Sequence, residues 1–520
     1  MDSLTKDCQY TYLMVEGMNI YNTVFDTDQV SIIRGSSFLL KEAIESLADE
    51  FEELHPISTG ASSGFFELPR HGKEDNDANG RDLIDKILEY FNSSPYCHFT
   101  FCIDLVEDCD LISARERLIA LLRYQQMQSL SLAPDPAQPE NTKDMQPCRI
   151  QGNRRAGCNN ILPDSKNGER ISLSVHDRFL SGKEKRSEFY RVELKSEKDS
   201  SPLKFTSNLQ SLAKTRHFPK LSGKIALIYL DGNRFSNIQK ESIQDAEDLR
   251  HFDQTIKAYR RDFLHKLIDR MQQQDTQVGF TDTLTENNEL RLETLIWGGD
   301  EMLLVVPAWL GFDIIELFYQ LSDTWCFSTR SGSNDKIPLT HSGGLVFCSA
   351  KTPLPKMRSL AISLADRLKE MKHVGRQNCF DYQVLESIDY PVEDSLNAYF
   401  ESRYGKKMAA SRFPIHPDIH WVCKNRERTR KILDTVPKGP IYRIAEYLTN
   451  DQPIEASSSI GRLASLMGPR DYQELTDLLS ALFRPLNPDS LEETGDPDNN
   501  WQWLHLIELW DYLAPTTSSP

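Results

Sequence analysis

Residues 225–232 read Ile-Ala-Leu-Ile-Tyr-Leu-Asp-Gly, an apolar run that ends at Asp231 and Gly232. An uninterrupted run of this kind is typical of a central strand that is buried on both faces of a sheet. Residues 292–306 hold two further apolar runs separated by Gly298-Gly299-Asp300-Glu301, and their length and turn chemistry predict a hairpin. If this hairpin pairs beside the first strand, acidic residues from both strand ends meet at one edge of the sheet.

The residues predicted to bind a metal at this edge are Asp231, Asp300 and Glu301. Transfer of a nucleotide from a triphosphate needs Mg²⁺ or Mn²⁺ to neutralise developing charge, and Mg²⁺ binds one or two carboxylates together with phosphate oxygens. Because neighbouring residues of an extended strand face opposite sides, Asp300 and Glu301 both reach a metal only if the turn rotates one of them, and Asp300 is predicted to be the firmer ligand. Asp-Gly and Gly-Asp are also ordinary turn sequences, and only their joint placement favours a functional site.

The order of the predicted elements indicates two similar units. Residues 1–110 read strand, helix, hairpin, helix, strand, which is the ferredoxin-like order, and the same order returns in residues 221–390. Between them, residues 111–220 form a predicted helical connector with a cysteine-bearing loop, and residues 391–520 read as several helices. The predicted fold is therefore α+β, with two ferredoxin-like domains, a helical connector and a C-terminal helical domain.

The composition is that of a folded protein with several domains. At 520 residues the chain exceeds what one hydrophobic core usually supports, and 39% hydrophobic and 26% charged residues are ordinary values for a globular protein. A net charge of -17 argues against a protein that coats nucleic acid by itself. No stretch approaches the roughly 20 apolar residues of a membrane span, and the N-terminus does not read as a signal peptide, so we expect no membrane contact and a cytoplasmic location.

The connector carries two features that resemble chemical sites. Cys148 and Cys158 lie in it, but tetrahedral zinc needs four ligands, and neither their spacing nor a nearby Cys-x-x-Cys supplies them, so no occupied zinc site is predicted. The other cysteines of the chain are scattered, which favours a reducing compartment. His176-Asp177 is interpreted as a chance pair within a polar segment.

Several motifs resemble one known family. Leu230-Asp231-Gly232-Asn233-Arg234-Phe235, together with Gly298-Gly299-Asp300-Glu301-Met302, resembles the palm of GGDEF-type cyclases. More particularly, it resembles the palm of the CRISPR polymerase family, the large subunit of type III CRISPR effectors. Other segments resemble the first-palm signature of that family and the strand and loop before its last palm helix; they are residues 24–28, 33–40, 341–346 and 351–354.

The resemblance implies a substrate, partners and site residues. In that family the second palm links ATP molecules into cyclic oligoadenylates, an antiviral signal, when target RNA binds the complex. ATP is therefore the implied substrate, and the implied partners are other CRISPR effector subunits with guide and target RNA. The metal ligands would be Asp231, Asp300 and Glu301, and the nucleotide would be bound by Gly232, Asn233, Gly298 and Gly299. Lys369 or Lys372 would contact the triphosphate, although both also fit the solvated face of an amphipathic helix.

The chain departs from the family pattern in both units. The first strand ends in Glu16-Gly17 and its hairpin turn is Ala61-Ser62-Ser63-Gly64, without a carboxylate, so the first palm is predicted to be degenerate, a structural or adenine-side partner. The second palm has Asp300-Glu301 where the family usually has two aspartates, as GGDEF cyclases do. The guanine-contacting Asn-Asp pair of those cyclases falls at Gln239-Lys240, which disfavours synthesis of cyclic di-GMP. The N-terminal HD nuclease domain of the family is predicted to be absent.

Two functions follow from these patterns. The first is a metal-dependent nucleotidyltransferase that makes a cyclic oligonucleotide, with cyclic oligoadenylate as the implied product. The second is a palm-derived scaffold subunit of an RNA-guided complex that binds a nucleotide but turns it over poorly or not at all. The scaffold function is retained as an alternative because Glu301 stands where the family usually has an aspartate.

Overall fold

The computed structural model of the chain contains two main β-sheets and many α-helices. The described residues are 10–68, 76–129, 146–157, 161–162, 168–195, 203–274, 279–330, 336–371, 377–386, 395–410, 412, 426–483 and 500–516. This mixed α and β composition agrees with the predicted α+β class.

The first sheet has four antiparallel strands in the order β2-β3-β1-β4. Its strands are β1 (Tyr10–Met18), β2 (His55–Thr59), β3 (Ser63–Leu68) and β4 (Thr100–Asp108), and its helices are α1 (Ile20–Val24), α2 (Val30–Glu45), α3 (Leu47–Glu50) and α4 (Asn76–Asn92). The predicted order of elements is confirmed for this first unit. The helix predicted over residues 34–51 begins earlier, because Ile32 and Ile33 are fully buried and continue its apolar face, and it is interrupted at Ser46.

The connector contains α5 (Leu111–Gln128), α6 (Leu173–Glu193) and α7 (Leu209–Ala213). Helix α6 packs closely against α2, because Gly35 and Gly182 face each other where the helices cross. A Cβ on Gly35 would lie 1.8 Å from the carbonyl oxygen of Arg178. His176-Asp177 lies within α6 rather than in a loop, and Asp177 Oδ2 is 2.9 Å from Nε2 of the buried His98.

The second sheet has five strands in the order β11-β10-β5-β7-β6, with the pair β10 and β11 parallel and the others antiparallel. Residues 225–230 are at most 2% exposed, which confirms the prediction of a strand buried on both faces. The strands are β5 (Lys224–Gly232), β6 (Glu293–Gly298), β7 (Glu301–Pro307), β10 (His341–Ser349) and β11 (Cys379–Val384), with a short ribbon of β8 (Cys326–Phe327) and β9 (Ile337–Pro338). The helices of this second unit are α8 (Phe235–Ser242), α9 (Ala246–Gln273), α10 (Gly311–Ser322) and α11 (Leu354–Glu370).

A buried ion cluster joins the first unit, the connector and the second unit. Glu293, at the start of β6, accepts hydrogen bonds from Arg34 Nη1 at 2.7 Å and from Arg186 Nη2 at 2.9 Å. The Glu293 and Arg34 side chains are each 3% exposed. Arg34 belongs to the 33–40 segment and Arg186 to α6, so three separate parts of the chain meet at one carboxylate.

The segment 24–28 is also tied to the connector. Asp26 accepts hydrogen bonds from Arg178 Nη1 and Nη2, both at 3.1 Å, and Arg178 is fully buried. Arg178 also donates to Ser36 Oγ at 3.1 Å. The segments 24–28 and 33–40 of the first unit therefore both contact α6. Helix α6 in turn contacts the second unit through Arg186 and Glu293.

The remaining described helices follow β11 and pack on the second unit. The sidechains of Trp501 and Trp503 are buried, in agreement with the prediction that the last helix forms part of a core. Arg412 donates to Asp381 Oδ1 at 2.8 Å and so links this region to β11. None of the helices in the described ranges combines the length and the apolar character of a membrane span. The helices are α12 (Leu396–Tyr404), α13 (Lys406–Ala410), α14 (Arg426–Thr435), α15 (Lys438–Thr449), α16 (Pro453–Met467), α17 (Pro469–Leu482) and α18 (Trp501–Leu513).

Candidate active site

The pairing of β5 with β7 brings two carboxylates together. Leu230 lies opposite Met302 in this antiparallel pair, so Asp231, which follows Leu230, comes opposite Glu301, which precedes Met302, and their side chains lie on the same face of the sheet. The Tyr229 hydroxyl lies 3.3 Å from Asp231 Oδ2 and 3.2 Å from Glu301 Oε1. Burial, and then the charges of Glu301 and Asp231, raise the pKa of Tyr229, so the hydroxyl keeps its hydrogen between the two carboxylates.

Asp300 approaches the same edge from the turn. Gly299 has a φ of 56°, a left-handed conformation that favours glycine and makes the tight turn possible. A Cβ on Gly232 would lie 2.9 Å from Asp300 Cβ, so the missing side chain of Gly232 provides the space for Asp300. The buried Arg260 of α9 donates from Nη1 to the Gly299 carbonyl at 2.8 Å and holds the turn in place.

Gly298 serves the contact between the two units. A Cβ at this position would lie 2.6 Å from Cα of Ala61, in the hairpin turn of the first unit. The carbonyl of Ser62 in that turn accepts a hydrogen bond from the Gly17 amide at 2.7 Å. The carboxylate-free turn of the first unit therefore packs directly on the acidic turn of the second.

Lys369 lies in the site and pairs with Asp231. Its Nζ donates to Asp231 Oδ2 from helix α11. This contact places Lys369 beside the carboxylates rather than on a fully solvated helix face. Lys372 lies outside the described residues.

The Asn233 side chain is engaged within the protein. Its Nδ2 donates to Thr340 Oγ1 at 3.1 Å and to the Gln377 carbonyl at 3.0 Å, and its Oδ1 accepts from Ser342 Oγ at 2.7 Å. These bonds hold the end of β5 to β10 and favour a structural role for the side chain, whereas the sequence placed Asn233 with the nucleotide-binding residues.

Sequence reasoning missed Arg260 and a second arginine, Arg358. Arg358, on α11, lies with its guanidinium 4.2 Å from the ring centroid of Phe25 in the first unit. Burial lowers the pKa of Arg358, and the charge of Glu301 opposes this shift. No local pattern singles out either arginine, because each acts on a segment far away in the chain.

Burial and neighbouring charge raise the pKa of Asp300 and of Glu301. Burial, followed by the charges of Asp231 and Glu301, raises the pKa of Asp300 to about 7. Burial and then the charge of Asp231 raise the pKa of Glu301, while the hydrogen bond from Tyr229 acts in the opposite direction. Three clustered carboxylates beside one lysine are an excess of negative charge that a divalent cation would relieve.

The donor set fits Mg²⁺ or Mn²⁺ that is shared with a nucleotide. Carboxylate oxygens are the ligands that these hard cations prefer. In the described ranges no group of three or more His, Cys, Asp or Glu side chains is arranged to hold a metal ion alone. Mg²⁺ sites in proteins commonly complete their coordination shell with phosphate oxygens and water. In the connector, Cys148 is buried and Cys158 lies outside the described residues.

The raised pKa of Asp300 predicts how stability depends on pH in the absence of metal. Its carboxyl titrates at about 7 in the folded protein, against an ordinary value of 3.8, so the folded state binds the proton more tightly. The stability of the folded protein therefore falls as pH rises from about 4 to about 7. Above about pH 7 the Asp300 carboxyl is ionised and causes no further loss of stability. We expect Asp300→Asn to be more stable than the wild type at pH 8 in EDTA, by on the order of 1–2 kcal/mol, and the difference to disappear at pH 4.

Thermal denaturation of both proteins between pH 4 and pH 8 measures this effect. Added Mn²⁺ should stabilise the wild type at pH 8 and leave Asp300→Asn nearly unchanged. Identical pH profiles for the two proteins would show that the pKa of Asp300 is not raised in the folded protein.

Comparison with known proteins identifies the fold. No protein-family profile and no curated protein matches the sequence. Among solved structures, a Csm1-Csm4 cassette in complex with cA4 aligns over 98% of this chain and 70% of its own, with 12% identity and a TM-score of 0.51. The chain has the Csm1 fold. The same coverage and identity are found for the cassette in complex with one ATP, with a TM-score of 0.51, and for Csm1 in T. onnurineus, with a TM-score of 0.50.

The Csm1 likeness agrees with the family resemblance seen in the motifs. Csm1-Csm4 cassettes belong to type III CRISPR effector complexes, the class that the sequence indicated. At 12% identity, the likeness concerns the fold. The chain covers about 70% of the Csm1 length, so the fold is shared over most of both proteins.

Proposed function

We propose that this chain is a metal-dependent nucleotidyltransferase that joins ATP into a cyclic oligoadenylate in antiviral defence. The observation that carries the proposal is the carboxylate group at the β5–β7 edge, where Asp231 and Glu301 lie within reach of one tyrosine hydroxyl. The Csm1 fold supports it, because Csm1-Csm4 cassettes were solved in complex with ATP and with cA4.

The proposed domains are two palms with helical parts between and after them. Residues 1–110 would form a degenerate palm, 111–220 the connector, 221–390 the catalytic palm and 391–520 a C-terminal helical domain. The strand order β2-β3-β1-β4 of the first sheet and the element order of the second support this division.

In the proposed reaction a nucleotide 3′-hydroxyl attacks the α-phosphate of ATP, a phosphodiester bond forms and pyrophosphate leaves. Asp231, Glu301 and Asp300 would hold Mg²⁺ or Mn²⁺, which when bound supplies charge stabilisation for the phosphates. Lys369 would turn from Asp231 to the triphosphate, since its amine already lies at the carboxylates. A Cβ on Gly299 would meet no atom within 4 Å, so the turn is open there and the phosphates can approach its backbone closely.

The proposed partners follow from the same fold. A Csm4-like subunit would bind the chain, as in the Csm1-Csm4 cassettes, and guide and target RNA would belong to the assembled complex. The net charge of -17 is consistent with RNA contacts that are shared with other subunits.

A second candidate is a scaffold subunit that binds nucleotide with little or no turnover. The ion pair between Lys369 and Asp231 favours it, because this pair occupies one oxygen of the central carboxylate. Glu301, where the resembling family has an aspartate, supports it as well.

One assay separates the two functions. Purified protein is incubated with labelled ATP and Mg²⁺ or Mn²⁺, alone and with partner subunits and target RNA, and the products are separated by chromatography. The enzyme predicts oligoadenylates from the wild type and none from Asp300→Ala. Wild-type protein that binds ATP but forms no product under any condition would favour the scaffold.

A further inference from the structure

The last turn of helix α11 is fastened to strand β11 by a buried ion pair. Arg367 and Lys369 both lie in this turn. Arg367 Nη1 donates to Asp381 Oδ2 at 3.1 Å, and the Asp381 side chain is 1% exposed. Residues two apart on a helix point in different directions. Arg367 therefore holds the turn from the side of β11, while Lys369 extends to Asp231 at the candidate active site.

The same ion pair continues into the C-terminal helical region. Arg412, which follows α13, donates from Nη2 to Asp381 Oδ1 at 2.8 Å and to the Tyr382 carbonyl at 2.6 Å. Its own carbonyl accepts a hydrogen bond from Arg367 Nη2 at 3.1 Å. The Arg412 side chain is fully buried, and its guanidinium lies 4.3 Å from the ring centroid of Phe400 on α12. Arg367, Asp381 and Arg412, the Asp381 cluster, thus join α11, β11 and the C-terminal region.

The Asp381 cluster fixes direction as well as charge. Burial raises the pKa of Asp381, but the charges of Arg412 and Arg367 lower it by more, so the carboxyl is ionised. Arg367 uses two nitrogens of one planar guanidinium for two partners, the Asp381 carboxylate and the Arg412 carbonyl. A rigid fork that is held at two points fixes the direction of a side chain, which a single ammonium contact does not. The end of α11 is therefore held relative to both β11 and the C-terminal region.

Resting on the proposed function, in which Lys369 contacts the triphosphate, we propose that Arg367 is a positioning residue that places the Lys369 amine within reach of bound ATP. The four-carbon stem of a lysine is flexible, so the position of its amine depends on where the helix backbone is held. A substrate-binding group that is misplaced by a small distance loses much of its effect. Because Arg367 also bonds the Arg412 carbonyl, the C-terminal region takes part in the placement of Lys369.

Nucleotide binding to the full-length protein tests this role. The probe is an ATP analogue with a methylene group between the α- and β-phosphates, which prevents turnover. Its dissociation constant is measured by calorimetry with Mn²⁺ for the wild type, Arg367→Met, Lys369→Met and the double variant. We expect Lys369→Met, which removes one charge-assisted contact, to weaken binding about tenfold or more, and Arg367→Met to weaken it about 3- to 10-fold. The double variant should bind no more weakly than Lys369→Met, because Arg367 acts through that lysine.

Two controls separate positioning from a loss of folding. Arg367→Met should fold, because Asp381 keeps its hydrogen bond from Arg412, and the melting temperature of each variant checks this. Arg443→Met makes the same change at an exposed position of α15 and should keep the wild-type affinity. If Arg367→Met is unfolded at the assay temperature, Arg367→Lys replaces it, since a lysine keeps the ion pair but not the additional bond to the Arg412 carbonyl. It should show the same dependence on Lys369.

The outcomes distinguish this inference from the proposed function. Wild-type affinity in either single variant, or independent effects that multiply in the double variant, would overturn the positioning role. Oligoadenylate formation by the wild type, measured in parallel with ATP, still supports the enzyme in each of those cases. Wild-type protein that binds the analogue but forms no product from ATP under any condition overturns the enzyme and leaves the positioning of Lys369 standing. If the wild type binds no nucleotide, both are overturned.

Discussion

Asp231→Asn is expected to lower the rate of oligoadenylate formation by about 10³-fold or more. The change keeps the shape of the side chain but removes the negative charge that would hold the divalent cation. Loss of several kcal/mol of charge stabilisation corresponds to this factor in rate. The rate of pyrophosphate release from ATP with Mn²⁺, under the conditions that activate the wild type, provides the measurement.

The folded structure should survive this substitution. Asp231 is 8% exposed and its charge raises the pKa of both Asp300 and Glu301, so its neutralisation relieves repulsion. A melting temperature equal to or above that of the wild type in EDTA is therefore expected. Asp262→Asn, the same chemical change on an exposed ion pair of α9, is the matched control and should keep full activity. If Asp231→Asn forms oligoadenylate at a rate within a few-fold of the wild type, the pair Asp231 and Glu301 does not hold the metal that the reaction needs.

Glu293→Ala is expected to reduce the free energy of unfolding by about 3–5 kcal/mol. Removal of this carboxylate leaves Arg34 and Arg186 buried without a counter-charge, and burial without a partner is unfavourable for both guanidinium groups. Urea denaturation, monitored by tryptophan fluorescence, measures this effect. Because the cluster joins the two units, the loss should appear in the first unfolding transition.

A second glutamate offers a matched control for this prediction. Glu286 pairs with Arg216 at 3.7 Å, and its side chain is 85% exposed. Glu286→Ala should change the free energy of unfolding by no more than about 0.5 kcal/mol. Joint replacement of Arg34, Arg186 and Glu293 by apolar residues should recover much of the loss, since such triads can be exchanged for well-packed side chains. Equal effects of Glu293→Ala and Glu286→Ala would show that the buried cluster does not hold the units together.

The local parts of the fold could be predicted from the sequence. The strand over residues 225–230 and the Gly298–Glu301 turn were predictable because burial on both faces and tight turns leave direct signals in consecutive residues. The element order of the first unit was predictable for the same reason. The packing of helix α6 on α2 was not, because Gly35 and Gly182 lie in separate segments and neither marks a helix contact by itself.

For the candidate site, the sequence by itself determined which carboxylates lie at the strand ends, because they follow directly from the apolar runs before them. Only the tertiary structure decided that Glu301 lies opposite Asp231 and that Arg260 holds the Gly299 turn. It also decided that hydrogen bonds within the protein hold the Asn233 side chain. The physical reason is that strand register and contacts between distant segments depend on how whole helices and sheets pack, and that packing leaves no pattern in neighbouring residues.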